Sequence, residues 1–255
     1  MRISVNKFDY MKTPLIIIAL AHLIFTTNSF AQAQVPEATE IYVELDIVTP
    51  GEGDKAPTDA IILFDGNNLD EWESSNDGSA APWKVENGIA TIIPGSGFIN
   101  TKKAFADVQL HIEWMSPVAE GKEGQLYSNS GVFFMGRYEV QILNSYENPT
   151  YSNGQASSVY KQHIPLVNAS RPPGTWQEYD IIFMAPKFSE KGTVVSPARI
   201  TVLHNGILVQ NNVELLGPTL YIGAPHYEAH ESKLPLYLQD HGDPVQFRNI
   251  WIREL

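Results

Sequence analysis

The chain has 255 residues, 43% of them apolar and 18% charged, with 17 basic against 29 acidic side chains, a formal charge of −12 and no cysteine. That length suits one large domain able to bury a sizeable core, and the apolar and charged fractions exclude a disordered chain. The negative charge disfavours nucleic acid and anionic lipid and suits neutral ligands such as sugars, while the missing cysteines exclude disulfides, thiolate metal sites and cysteine nucleophiles.

Lys7 and Lys12 precede the apolar run LIIIALAHLIF from Leu15 to Phe25, and Ala31-Gln32-Ala33 supplies a small-x-small cleavage site. This is the layout of a secretory signal peptide over residues 1–33. Met11-Lys12 offers an alternative start, and an uncleaved anchor is the competing reading. The run is short for a membrane span, and without cysteine there is no lipoprotein anchor. A soluble periplasmic or secreted protein is expected, with its oligomeric state open. Removing residues 1–33 takes away three basic residues and one acidic one, so the whole-chain −12 becomes −14.

Residues 34–58 are acidic and punctuated by Pro and Gly, which predicts a linker or a loosely docked edge strand around Ile41–Val48, with the ordered domain over 59–255. IILFDGNNLDEWES predicts a short strand, a turn, then Leu69 and Trp72. APWKVENGIATIIPG predicts a hairpin about Glu86-Asn87-Gly88. Gly97–Thr101 adds a short strand. Val108–Trp114 then alternates, with Val108, Leu110, Ile112 and Trp114 inward and Gln109, His111 and Glu113 outward.

The stretch NSGVFFMGRYEVQILNSY, residues 129–146, carries the most functional pattern. In an extended strand Tyr138, Val140 and Ile142 face a core, while Arg137, Glu139 and Gln141 line the other side about 6–7 Å apart. A polar outer face is the bland alternative to a sugar-facing groove. The long loop after it, to Trp176, is rich in bonding groups that include Tyr160 and Arg171; loops of this length are functional or disordered, and its aromatic and aliphatic residues predict docking. Tyr179, Ile181 and Phe183 give the next core face, and ARITVLHNGILVQ is a hairpin about Asn205-Gly206. Two further strands close the chain, the first ending at Gln239–Gly242 and the second running over Val245–Arg253. Short strands without sustained helical periodicity predict an all-β sandwich or jelly roll.

LFDGNNLDEW, NSGVFFMGRYEVQIL, NASRPPGTWQEYDIIFMAPKF, ARITVLHNGILVQNNVEL and LQDHGDPVQFRNIWIREL, in that order over residues 61–255, resemble the 3-keto-disaccharide hydrolase domain family. The resemblance implies a concanavalin-like jelly roll of two curved antiparallel sheets and cleavage of 3-keto-glycosides. Asn144 departs from the family pattern, where Asp is expected, which puts an acid or metal-ligand role at that position in question.

A 3-ketone acidifies the hydrogen on C2, so a base can abstract it and the enediolate can expel the C1 substituent, after which water adds. This needs a base, a donor to the enediolate oxygen and a donor to the leaving group, unlike the paired carboxylates of ordinary glycosidases. Glu139 is the first candidate base, Glu113 the second, and His241 serves as base, acid or ligand. The competing role for Glu113 is a solvated outer face, and for His241 a simple turn. Arg137, Gln141, Tyr160 and Gln239 are candidate substrate contacts; Arg171 either meets the enediolate or braces its loop. Trp83 and Trp251 read as core before sugar platforms, and His204 as structural. Glu113, Glu139 and His241 offer donors for a divalent metal, with a structural calcium equally open, but no motif requires either. Two other classes stand beside this enzyme: a non-catalytic carbohydrate-binding module and a two-carboxylate glycosidase.

Overall fold

The computed structural model describes residues 35–53 and 55–255; the predicted signal peptide lies outside the described residues. The chain divides into two units, residues 1–46 and 47–255. In the first, the described residues form one 3-10 turn, Pro36–Ala38. No strand forms over residues 41–48, so the linker alternative describes that stretch.

The second unit contains fifteen strands among the described residues: β1 (Ile61–Phe64), β2 (Trp72–Ser74), β3 (Lys84–Glu86), β4 (Ile89–Thr91), β5 (Ile99–Phe105), β6 (Val108–Met115), β7 (Ser130–Phe134), β8 (Tyr138–Ile142), β9 (Gln177–Met184), β10 (Lys187–Phe188), β11 (Val194–Ser196), β12 (Arg199–His204), β13 (Ile207–Glu214), β14 (Leu234–Leu238) and β15 (Gln246–Glu254). They form an all-β jelly-roll sandwich. The larger antiparallel sheet has the order β13-β12-β9-β6-β15-β4-β3, with β1 also paired to β15; the smaller is β2-β5-β14-β7-β8.

Period-two alternation builds the core between them. Val108, Leu110, Ile112 and Trp114 from β6, Tyr179, Ile181 and Phe183 from β9, and Tyr138, Val140 and Ile142 from β8 are all buried. Phe134 of the small sheet stacks on Phe183 of the large one with centroids 4.7 Å apart. Both predicted Asn-Gly hairpins form. Asn87-Gly88 and Asn205-Gly206 have φ of +52°/+80° and +52°/+77°, the double left-handed geometry that matches strand twist.

Two local features set where the polar side chains of the sheets point. In β15 the pairing with β6 slips between Arg248 and Trp251, and Asn249 has φ +46°. The extra residue changes the parity. Phe247 and Ile250 remain in the core, while Arg248 turns to the outer face instead of following Ile250 and Ile252 inward. The second feature concerns β8, the last strand of the small sheet. Its free edge is occupied: Gln141 N and O bond Ser158 O (3.0 Å) and Ser157 N (2.9 Å), Tyr160 N reaches Glu139 O (3.4 Å), and Glu139 N donates to Thr219 Oγ1 (3.0 Å). The predicted docking loop therefore lies along the edge of β8.

Candidate active site

On the outer face of the small sheet, β8 turns Glu139 and Gln141 into a pocket of about 240 Å³. Phe133 of β7, Asn129 before it, and Gln239 and His241 after β14 form further walls. The docked loop adds Tyr160, and the segment following β13 adds Thr219 and Tyr221. The alternation of β14 explains its contribution: Leu236 and Leu238 are buried in the core, so Gln239 and His241 share the opposite parity. Gln239 is anchored by its backbone, with N donating to Gly131 O (3.1 Å) and O accepting from Ser130 Oγ (2.7 Å). Its side-chain oxygen is buried and has no partner.

Glu139 is 5% exposed, and no cation pairs with it among the described residues. Burial without compensation penalises the charged form and pushes its carboxyl up to about 8. The Gln141 amide stands 3.1 Å from Glu139 Oε1. With nitrogen turned to Glu139, it donates to that carboxylate and to Ser130 O at 3.0 Å. With oxygen turned there, it can accept a hydrogen bond from the neutral carboxyl, while its N–H reaches Gln125 Oε1 (3.1 Å) and Gly154 O (3.4 Å). Gly131, opposite Gln141 in the β7–β8 pairing, makes the space. A Cβ there would meet Glu139 Oε1 at 2.5 Å and the Phe133 ring at 2.9 Å.

Glu139, Gln141, Tyr160, Gln239 and His241 are thus brought together around one pocket. Three other candidates are not. Glu113 of β6 belongs to the large sheet and faces away from the core between the sheets. It accepts from Arg248 Nε (2.6 Å) and Asn249 Nδ2 (2.8 Å), with His111 Nε2 3.8 Å away. Burial alone would raise the Glu113 carboxyl, but the nearby His111 and the hydrogen bonds from Asn249 and Arg248 outweigh it and hold the group at about 2. Burial likewise opposes His111 protonation, yet Asp180 and Glu113 raise it to about 9. Arg137 does not continue the β8 row: it sits in the turn at residues 135–137, and its carbonyl accepts from Thr219 N at 2.8 Å. Arg171 braces its own loop, donating to Trp176 O (2.9 Å) and Glu178 Oε1 (3.4 Å).

The metal donor set Glu113, Glu139 and His241 is divided between the two sheets. Among the described residues no group of three His, Cys, Asp or Glu is clustered for an ion; Glu139 and His241 are the two such donors lining this pocket. Asn144 is buried, and its Oδ1 accepts from Tyr146 N at 3.3 Å, a turn-holding contact. His204 is structural, packed between Ser157 Oγ (2.9 Å) and Gln177 Oε1 (3.1 Å), and burial lowers it to about 3. Trp83 is core, stacked on Phe247; Trp251 instead stacks on His111 on the outer face. Gly131, Phe133, Thr219 and Tyr221 were not anticipated. Gly131 carried a readable signal, since glycine inside a strand often marks a close approach; Thr219 and Tyr221 lie in an aperiodic segment.

Among the described residues no helix is long and apolar enough to cross a membrane. A search of curated proteins gives no match. Among solved structures, one protein of Parabacteroides distasonis ATCC 8503, provisionally described as a glycosyl hydrolase, is 48% identical; the match covers 87% of this chain and 97% of that one, with a TM-score of 0.82. Two others from the same organism with the same description share the fold at 19% and 20% identity, with TM-scores of 0.55 and 0.52; each match covers 77% of this chain and, respectively, 94% and 99% of the other. The family model for the 3-keto-alpha-glucoside-1,2-lyase-like domain matches residues 59–253, and the chain belongs to that family.

Proposed function

We propose that the protein cleaves 3-keto-glycosides by removing the proton on C2, beside the ketone, and expelling the C1 substituent, with water then adding to give net hydrolysis. The observation that carries this reading is the Glu139 carboxyl, buried on the pocket floor with no cation paired to it among the described residues. A carboxylate whose conjugate acid is held near 8 is a far stronger base than an exposed one, which matches the task of taking a carbon-bound proton near neutral pH. The amides of Gln141 and Gln239 are the hydrogen-bonding groups for the sugar hydroxyls and the enediolate oxygen. The pocket, about 240 Å³, falls just below the ~300–1,000 Å³ of drug-sized ligand sites and suits one sugar ring. Family membership and the glycosyl-hydrolase description of the 48%-identical protein support a glycoside as substrate.

The test is to incubate the protein with a 3-keto-glucoside in deuterium oxide, with and without divalent metal. The expected result is release of the C1 substituent and deuterium at C2 of the sugar product. Release without deuterium would point to direct displacement at C1. Binding without turnover would favour a carbohydrate-binding module, and cleavage of the unoxidised glucoside would favour a two-carboxylate glycosidase.

A further inference from the structure

Elimination from C1 leaves charge on the departing oxygen, and three titratable groups of the pocket besides Glu139 could neutralise it: Tyr160, His241 and Tyr221, the last 72% exposed. His241 is exposed at the rim. Tyr160 is held in a more developed arrangement. Its backbone is fixed to the edge of β8 through Tyr160 N to Glu139 O, the residue that supplies the base. Its hydroxyl is 2.6 Å from the Tyr151 hydroxyl. The next residue, Lys161, has a left-handed φ of +63° and a backbone N–H bonded to Asn153 O at 2.8 Å. That geometry brings its ammonium over the aromatic cluster, 4.2 Å from the Tyr151 ring centre, 5.5 Å from Tyr221 and 5.8 Å from Tyr160. No carboxylate pairs with Lys161 among the described residues, so its charge is directed at the three rings.

Resting on the proton-abstraction reading above, we propose that Tyr160 is the acid that protonates the leaving oxygen, with Tyr151 and Lys161 stabilising the phenolate that results. Glu139 takes the C2 proton; the C2–H electrons form the enediolate, the C1–O bond breaks as C1=C2 forms and C3=O returns, and the Tyr160 hydroxyl gives its proton to the departing alcohol. The site then holds neutral Glu139 and ionised Tyr160. Hydration uses that state directly: the phenolate takes a proton from the water attacking C1, and Glu139, its proton exchanged with solvent in the meantime, protonates C2. Both residues are restored, and only water is consumed. Before reaction the phenol is held protonated by burial, then by donating to Tyr151 and by the nearby Glu139 charge; once Tyr160 has ionised, the Tyr151 hydroxyl turns to donate to it.

The experiment compares Tyr160→Phe with the unaltered protein on two 3-keto-glucosides, one with a methoxide leaving group and one with 4-nitrophenolate, which departs without protonation. Loss of a general acid is worth roughly 10²–10⁴-fold. The variant is expected to lose at least about 10²-fold in kcat on the methyl glycoside, far less on the nitrophenyl one, with KM little changed on both. Lys161→Met should give the same selectivity at smaller size. Equal losses on both substrates would reduce Tyr160 to a positioning residue and overturn the proposal, as would transfer of the leaving-group dependence to His241→Asn. If the unaltered protein turns over neither compound, the failure belongs to the proton-abstraction reading itself.

Discussion

Glu139 and Glu113 both stand mid-strand between core-facing neighbours, and both are buried, 5% and 2% exposed. Their surroundings separate them. Glu113 lies under Arg248, Asn249 and His111, and its charge is stabilised at about 2. Glu139 meets an amide and open pocket space, and its charge is opposed, to about 8. Burial of a carboxylate is therefore uninformative on its own. What distinguishes a reactive group from a brace is whether the fold supplies its counter-charge.

The contrast breaks most directly with Glu139→Gln. Removing the base should lower kcat by roughly 10²–10⁴-fold with modest change in substrate binding. The same change should raise stability at pH 8 by about 1–3 kcal/mol, since an uncompensated buried acid disappears. A calorimetric melt showing no gain, together with unaltered turnover, would erase the distinction. Next in size is Gly131→Ala: its methyl group must push the Glu139 carboxyl aside, and about 10²-fold in kcat is expected from a displacement near 1 Å. Glu113→Gln should do the reverse of Glu139→Gln, costing about 1–3 kcal/mol because Arg248 keeps partial access to water, while kcat/KM per folded molecule stays within about two-fold.

The pH response sharpens the same comparison. Glu139 has its folded value above the ordinary 4.5, so its contribution to stability is lost as pH rises from about 4.5 through 8. Activity should rise over the upper part of that window as the base ionises, in a pocket where Tyr160, Tyr221 and His241 are the neighbouring titratable groups. Glu113, depressed to about 2, contributes stability above 4.5 that is lost as pH falls through 2. His111, raised to about 9, contributes stability below 6.5 that is lost as pH rises through 9. Melting temperature against pH for the unaltered protein and Glu139→Gln checks this; parallel curves between pH 5 and 8 would contradict it. The smallest expected effect is Trp176→Leu, about 0.5–1 kcal/mol from loss of the ring 4.2 Å from Arg248, read by chemical denaturation.

Much of this arrangement was legible in the alternation of side chains. Tyr138, Val140 and Ile142 against Glu139 and Gln141 gave both the core face and the pocket face of β8, and Gln239 and His241 gave the second wall. Parity failed where the backbone departed from regular extension. The slip at Asn249 puts Arg248 on the opposite side from Ile250 and Ile252, with which it shares sequence parity, and the turn at residues 135–137 took Arg137 out of its expected row. Glu113 and Glu139 both alternate with core residues, and their difference arises from Arg248 and Asn249 of β15, far away in the chain, together with His111 on Glu113's own strand. Tyr160 was recognisable as a bonding group, but its hydroxyl pairing and the position of Lys161 depend on a loop without periodicity.

The loop docked on β8 also has a consequence for solubility. An unpaired outer strand offers its amides and carbonyls to any neighbouring chain, and here residues 157–160 close that invitation with the same backbone that carries Tyr160. Substitutions that loosen this segment should uncover a sticky border as they dismantle the pocket, so aggregation and inactivity would arise together from a single local detachment.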